Sequence, residues 1–171
     1  TWRHHLLLAR WLDSGAPGLL LAQSIGRWGN FVNQELYGPP TTLPWGIPID
    51  APHRLPQYAD LSRFPVETTR FHPVFLYESL WNLAGCLLLV FLARRPASRL
   101  KDGDVFSLYL VIYGLGRLLV ESLRPDAWLL GGIPTAQIVA VGAIILGTAL
   151  LVLRRRSKSR RPTIPHTLDR N

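Results

Sequence analysis

Arg27 and Arg117 each stand in an otherwise apolar stretch, with amides or a carboxylate at helical spacing beside them. In "GRWGNFVNQELYG", residues 26–38, Arg27 is followed by Asn30, Asn33, Glu35 and Gly38. On a helix, Gln23, Arg27, Asn30, Gln34 and Tyr37 fall on one side, because steps of three and four residues return to the same face. In "YGLGRLLVESLRPD", Gly114, Arg117, Glu121 and Arg124 repeat the device. There Arg117 and Glu121 are placed to pair along the helix, and Gly114 leaves room for a ligand head group. A charge at membrane depth is costly unless it faces a cavity or a partner. Guanidinium forks match the oxygens of a phosphate, and lipids are the phosphates that reach this depth. Two other readings stay open: Arg117 and Glu121 neutralise one another, and Arg27 extends its head to the interface along its aliphatic stem.

A third group, "HPVFLYE", brings His72, Tyr77 and Glu78 to the start of a helix, with Pro73 suited to its first turn. His72 fits a hydrogen-bonding cap or a base. No Cys/His spacing suggests zinc, and there is no Gly-rich phosphate loop or nucleophile elbow. Cys86 is the single cysteine, so no internal disulfide forms, and its run "LAGCLLLVF" points to packing.

The elements that must hold these groups are apolar helices. Crossing a hydrocarbon layer of roughly 30 Å takes about 20 mainly apolar residues. Leu76–Ala93, Val105–Leu123 and Pro134–Leu153 meet that length, the last without a charge. Gly15–Tyr37 is a fourth, rich in small residues that let helices approach closely. The fold class expected is all-α, a polytopic membrane helical bundle of about four spans. The Pro-rich stretch from Pro39 to Phe71 is too long for a connector and is expected to be an outer-side lid or binding loop.

Of the net charge of +8, the tail from Arg154 to Asn171 supplies +6, seven Lys/Arg against Asp169. The basicity is therefore a terminal flag on a near-neutral body, and the uncharged helix at 134–153 excludes a soluble nucleic-acid binder. Basic loops stay cytoplasmic. "ARRPASRLK" and "RRRSKSRR" are thus placed inside, with the long loop and "RPDAWLLGGIP" outside. Trp28, Trp45, Trp81 and Trp128 are available as interfacial anchors. Residues 1–153 read as one membrane-embedded unit and 154–171 as a basic cytoplasmic tail drawn to anionic lipid. The chain opens on Thr1, holds no methionine and shows no amino-terminal signal peptide.

Together, "GRWGNFVNQELYG", "HPVFLYE" and "YGLGRLLVESLRPD" resemble the prolipoprotein diacylglyceryl transferase family of the bacterial inner membrane, over nearly the whole chain from about Asp13. Every fixed position of the signature G-R-x-G-N-F-x-N-x-E-x-x-G is present. The resemblance implies transfer of the diacylglyceryl group of phosphatidylglycerol to the lipobox cysteine thiol of a preprolipoprotein signal peptide, with release of glycerol phosphate and no cofactor or metal. It assigns Arg27, Arg117 and Glu121 to catalysis. Arg27, Asn30, Asn33, Glu35, Gly38, His72, Tyr77, Glu78 and Arg124 are assigned to substrate binding. The family's upstream His-Gly-Gly motif is absent, since His4 and His5 are not followed by glycine, which points to a carboxy-terminal part of such an enzyme. Val74 and Phe75 replace a hydroxyl and an amide common in the third motif. The rival class is a non-enzymatic lipid-binding or anion-conducting membrane protein with arginines along a passage.

Overall fold

The computed structural model describes residues 8–95, 100–124 and 129–157. Among these, four α-helices carry the fold: α1 (Leu8–Val32), α2 (Val74–Arg94), α3 (Asp104–Glu121) and α4 (Thr135–Ser157). Two antiparallel ladders join them, β1 (Pro40–Thr41) with β2 (Arg70–Phe71) and β3 (Leu129–Leu130) with β4 (Ile133–Pro134). His4 and His5, residues 125–128 of the outer link with Trp128, and the tail beyond Ser157 lie outside the described residues, as do residues 96–99 of the basic loop.

The helices associate as two pairs, α1 along α2 and α3 along α4, and the pairs meet where α3 touches α1 and α2. Small residues make the second pair close. A Cβ on Gly114 would fall 2.6 Å from the Ala140 carbonyl oxygen, and one on Gly147 2.6 Å from that of Ser107. Gly114 therefore leaves no room for a ligand, contrary to its sequence reading, because α4 occupies that face. Cys86 packs in the core with Ala16, Leu20, Leu89 and Val105.

Among the described residues, two helices, α2 and α4, are long and apolar enough to cross a membrane. Only 11% of the α4 span is buried, so Ile138, Val141, Ile145 and Leu146 face outward. Apolar surface of this extent marks contact with lipid or with other apolar helices.

α1 departs from the expected Gly15–Tyr37. It begins at Leu8 and ends at Val32, where Gln34 and Leu36 take left-handed backbone at φ 52° and 55°. The Asn33 N–H closes on the Gly29 carbonyl and the Glu35 N–H on that of Asn30, both at 2.9 Å. Gln34 and Tyr37 consequently leave the polar stripe. The Gln34 amide donates to the Asp50 carboxylate and accepts from the Asp50 N–H, each at 2.7 Å.

Tyr37 enters the next unit instead. The stretch from Pro39 to Phe71 is a folded cap, with Ile47 bridged to Phe71 and a core of Tyr37, Ile49 and Phe71. The Tyr37 hydroxyl accepts the Leu55 N–H at 2.6 Å and donates to the His53 carbonyl at 3.2 Å. Arg54, only 8% exposed, donates from Nε to the Ile49 carbonyl at 3.0 Å and from Nη1 to that of Phe64, with its guanidinium 5.3 Å from the Phe71 ring centre. One buried arginine thus collects carbonyls from segments too proline-rich to satisfy them in a ladder.

Candidate active site

Arg27 comes from α1, Glu78 from α2, and Arg117 with Glu121 from α3. The two pairs of helices meet through these four side chains. Arg27 Nε lies 2.5 Å from Glu78 Oε2, Arg117 Nη1 3.6 Å from Glu78 Oε1, and Arg117 Nη2 3.0 Å from Glu121 Oε2. The last contact is an ion pair by distance alone, since no N–H is aimed at Glu121 Oε2 within hydrogen-bond geometry. The carboxylate side chains are 9% and 2% exposed, the Arg27 and Arg117 side chains 27% and 16%. The charges nearly cancel, which makes their burial tolerable. The guanidiniums are the more exposed members of the array.

A cavity of about 140 Å³ opens on this array between α1, α2 and α3. Gln23, Arg27, Glu78, Asn82, Tyr113 and Arg117 line it, with Trp81 lying against Gly116 as one wall. The Trp81 indole N–H donates to the Ile112 carbonyl at 2.9 Å, and Gln23 Nε2 donates to the Tyr109 hydroxyl at 3.2 Å. A second cavity of about 380 Å³ lies between the end of α3 and the start of α4, lined by Tyr113, Arg117, Glu121, Arg124, Thr135, Ala136 and Val139. Tyr113 and Arg117 border both. Fixed guanidiniums in a partly dehydrated cleft hold an anion and stabilise charge that develops on it.

The other expected residues divide. Asn30 is half-buried one turn after Arg27, outside both linings. Asn33 and Glu35 are exposed and bonded to each other at 3.2 Å. Gly38 has a packing role: a Cβ there would fall 2.8 Å from His72 Cβ and 3.2 Å from the Leu123 carbonyl oxygen. Its N–H donates to the His72 carbonyl at 3.0 Å. His72 is no helix cap, because Pro73 holds that position without a side-chain bond. His72 Nδ1 instead sits 3.1 Å from the Tyr77 hydroxyl, which also accepts the Trp45 indole N–H at 3.0 Å, tying cap to α2. Arg124 lies past the end of α3, not on its face, yet it reaches the second cavity beside Arg117.

Arg27 is paired inside the bundle and does not extend freely to an interface. Trp81 is packed between helices and is no interfacial anchor; Trp28 and Trp45 are about half exposed. Trp81, Asn82 and Tyr113 were not singled out as site residues. Their signal was the spacing of Glu78, Trp81 and Asn82 on one helix face, and of Tyr113 four residues before Arg117.

These features define a class: a helical protein of membrane character with a neutralised arginine array at the seam of its bundle. A family model described as "Prolipoprotein diacylglyceryl transferase" matches residues 1–153. The chain belongs to that family. Among relatives named "Phosphatidylglycerol--prolipoprotein diacylglyceryl transferase", that of Chloroflexus aggregans is 46% identical over 170 residues, covering 90% of this chain and 55% of the relative. Those of Thermosynechococcus vestitus and Frankia alni are 46% and 50% identical, covering 80% and 86% of this chain and 48% and 37% of the relatives. The chain spans about half the length of the curated relatives it matches.

Proposed function

We propose that this chain forms the head-group-gripping part of an enzyme that moves the sn-1,2-diacylglyceryl group of phosphatidylglycerol onto the lipobox cysteine of a preprolipoprotein. The observation that carries the reading is Arg27 and Arg117 converging from two helices on one carboxylate beside one cavity. The thiolate sulfur attacks the glycerol carbon that bears the phosphate ester. A C–S bond forms as the C–O bond breaks, the thiol proton passes to a base, and glycerol phosphate leaves with the bonding pair. Arg27 and Arg117 stabilise the charge gathering on the departing phosphate. A thiol is a weak nucleophile until deprotonated, and Glu121, the most buried carboxylate of the array, holds Arg117 in place. Asn30, Asn33, Glu35, Gly38, His72, Tyr77, Glu78 and Arg124 frame the lipid and the entry of the peptide. The membrane unit is residues 1–153, with four spans in the bacterial inner membrane, the cap outside and residues 154–171 as a cytoplasmic tail on anionic lipid.

The test is mass spectrometry of a lipobox peptide incubated with phosphatidylglycerol and the protein bearing this chain, reading the added diacylglyceryl mass. Arg117→Ala is expected to abolish the adduct. Normal adduct formation by Arg117→Ala refutes the role given to the array. Anion flux through liposomes with no covalent product indicates a conducting protein instead.

A further inference from the structure

At the end of the bundle remote from Arg27 and Arg117, Asp13 of α1 reaches across to α3. Asp13 Oδ2 accepts the Gly103 N–H at 2.5 Å and Oδ1 accepts the Phe106 N–H at 2.8 Å. Both are first-turn donors with no partner inside their own helix. A carboxylate there also meets the positive end of the helix dipole. The cap residue of α3 is Gly103, which supplies no side chain, so α3 takes its capping carboxylate from another helix. Asp104 adds a local turn bond, accepting the Lys101 N–H at 2.9 Å. Arg10 and Asp102 form an exposed pair at 2.9 Å, while Lys101 Nζ donates to the Arg154 carbonyl at 3.1 Å and Arg154 Nη1 to that of Asp102 at 2.5 Å. Asp13 is therefore the group at this end that couples α1 to the helical amides of α3.

The spacing gives the clamp its meaning. Arg27 lies fourteen residues after Asp13, and Arg117 fourteen residues after Gly103. At 1.5 Å per residue, both helices climb about 21 Å from the clamp to their arginine. The two guanidiniums thus reach Glu78 at one depth although they belong to different helix pairs. Glu78 alone does not enforce this, since its contact to Arg117 is 3.6 Å against 2.5 Å to Arg27. We propose that Asp13 is a positioning residue, a trans-helix cap that sets the register of α3 against α1 and so aligns Arg117 with Arg27. The clamp itself stands on geometry; its consequence for lipid rests on the function proposed above.

The test is a distance, so it reads register and not folding alone. Spin labels go on the exposed positions Val32→Cys and Leu119→Cys, in a Cys86→Ala background, in detergent micelles, and the interspin distance is compared with that of Asp13 variants. Asp13→Ala is expected to broaden or shift the distribution by about 1.5 Å for each residue of slip, with helix content by circular dichroism unchanged. Asp13→Asn, which keeps one acceptor oxygen, is expected to fall between. Asp102→Ala, which breaks the exposed pair but not the clamp, is expected to match the parent. If Asp13→Ala unfolds, Asp13→Glu serves: one extra methylene keeps the charge and displaces the α3 start, shifting the distance in a folded protein. A distribution in Asp13→Ala or Asp13→Glu superimposable on the parent overturns the proposal. A shifted distribution with phosphatidylglycerol binding unaltered upholds the clamp and counts against the lipid reading of the array.

Discussion

Gly116→Ala puts the seam between the helix pairs under a measurable load. A Cβ at Gly116 would lie 2.3 Å from Trp81 Nε1 and 2.4 Å from Cδ1. Ordinary contact needs roughly 3.5 Å, so the indole must retreat by about 1 Å. That movement stretches the 2.9 Å bond from Trp81 to the Ile112 carbonyl toward the limit of useful geometry. Overpacking costs about 1–3 kcal/mol and the weakened bond about 1 kcal/mol. The gain in helix propensity, about 1 kcal/mol, offsets only part of this. The net expectation is destabilisation by about 1–3 kcal/mol, or a Tm lowered by about 2–4 °C for each kcal/mol in a chain of this size. Thermal unfolding of the purified protein in detergent reads it. Gly142→Ala, where a Cβ meets nothing within 4 Å, is expected to hold or raise Tm. Combining Gly116→Ala with Trp81→Leu is expected to recover part of the loss, because the clashing ring is gone. A Gly116→Ala protein as stable as the parent, or a double variant with strictly additive loss, refutes the reasoning.

Removing the charge of the bridging carboxylate in Glu78→Gln leaves Arg27 and Arg117 facing each other. Stability is expected to fall by about 1–3 kcal/mol, less than for a fully buried pair because both arginines keep some water. The rise in Tm on adding phosphatidylglycerol is expected to exceed the parent's, since a lipid phosphate replaces the lost counter-charge; an equal or smaller rise counts against anion binding at the array. Arg54→Met keeps the volume but strips donors from the Ile49 and Phe64 carbonyls, costing about 2–4 kcal/mol in the cap. Amide hydrogen exchange is expected to rise across residues 38–71 and not in α3 or α4, and uniform exchange throughout would contradict an independently held cap.

The apolar helices were legible because length and composition decide them: α2 and α4 end within a few residues of expectation. The carboxyl end of α1 was not, since the left-handed turns at Gln34 and Leu36 arise where the cap draws Gln34 to Asp50 and Tyr37 into its own core. Those partners are distant in sequence, so local periodicity carried the helix too far. The stretch from Pro39 to Phe71 was marked as a lid or binding loop, but its folded core was not legible, for a related reason. Its core is assembled from single residues such as Ile49 and Phe71 separated by prolines, and Arg54 does the work of a ladder. At the site, Arg117 and Glu121 pair at the helical spacing that suggested them. Glu78 did not announce its part. From "HPVFLYE" it read as a residue at the start of a helix, assigned by resemblance to substrate binding, whereas only the packing of α2 against both α1 and α3 reveals a bridge.

The placement of the array follows from what each interface can accept. Within the α3–α4 pair, Gly114 and Gly147 bring backbones so close that no long side chain fits between them. Along α1–α2 small polar groups meet at Ser24 and Ser79, 3.0 Å apart, and the long Arg27 and Glu78 side chains pair where Arg117 of α3 also reaches Glu78. Arginine and glutamate side chains need width, and the seam between the pairs supplies it, because Trp81 on Gly116 and Gln23 on Tyr109 hold the two halves apart at that level. The same width that accommodates the ion pairs leaves the cavity beside them. Trp81 and Gly116, which shape the seam beside the cavity, therefore bear on the array along with its own ion pairs.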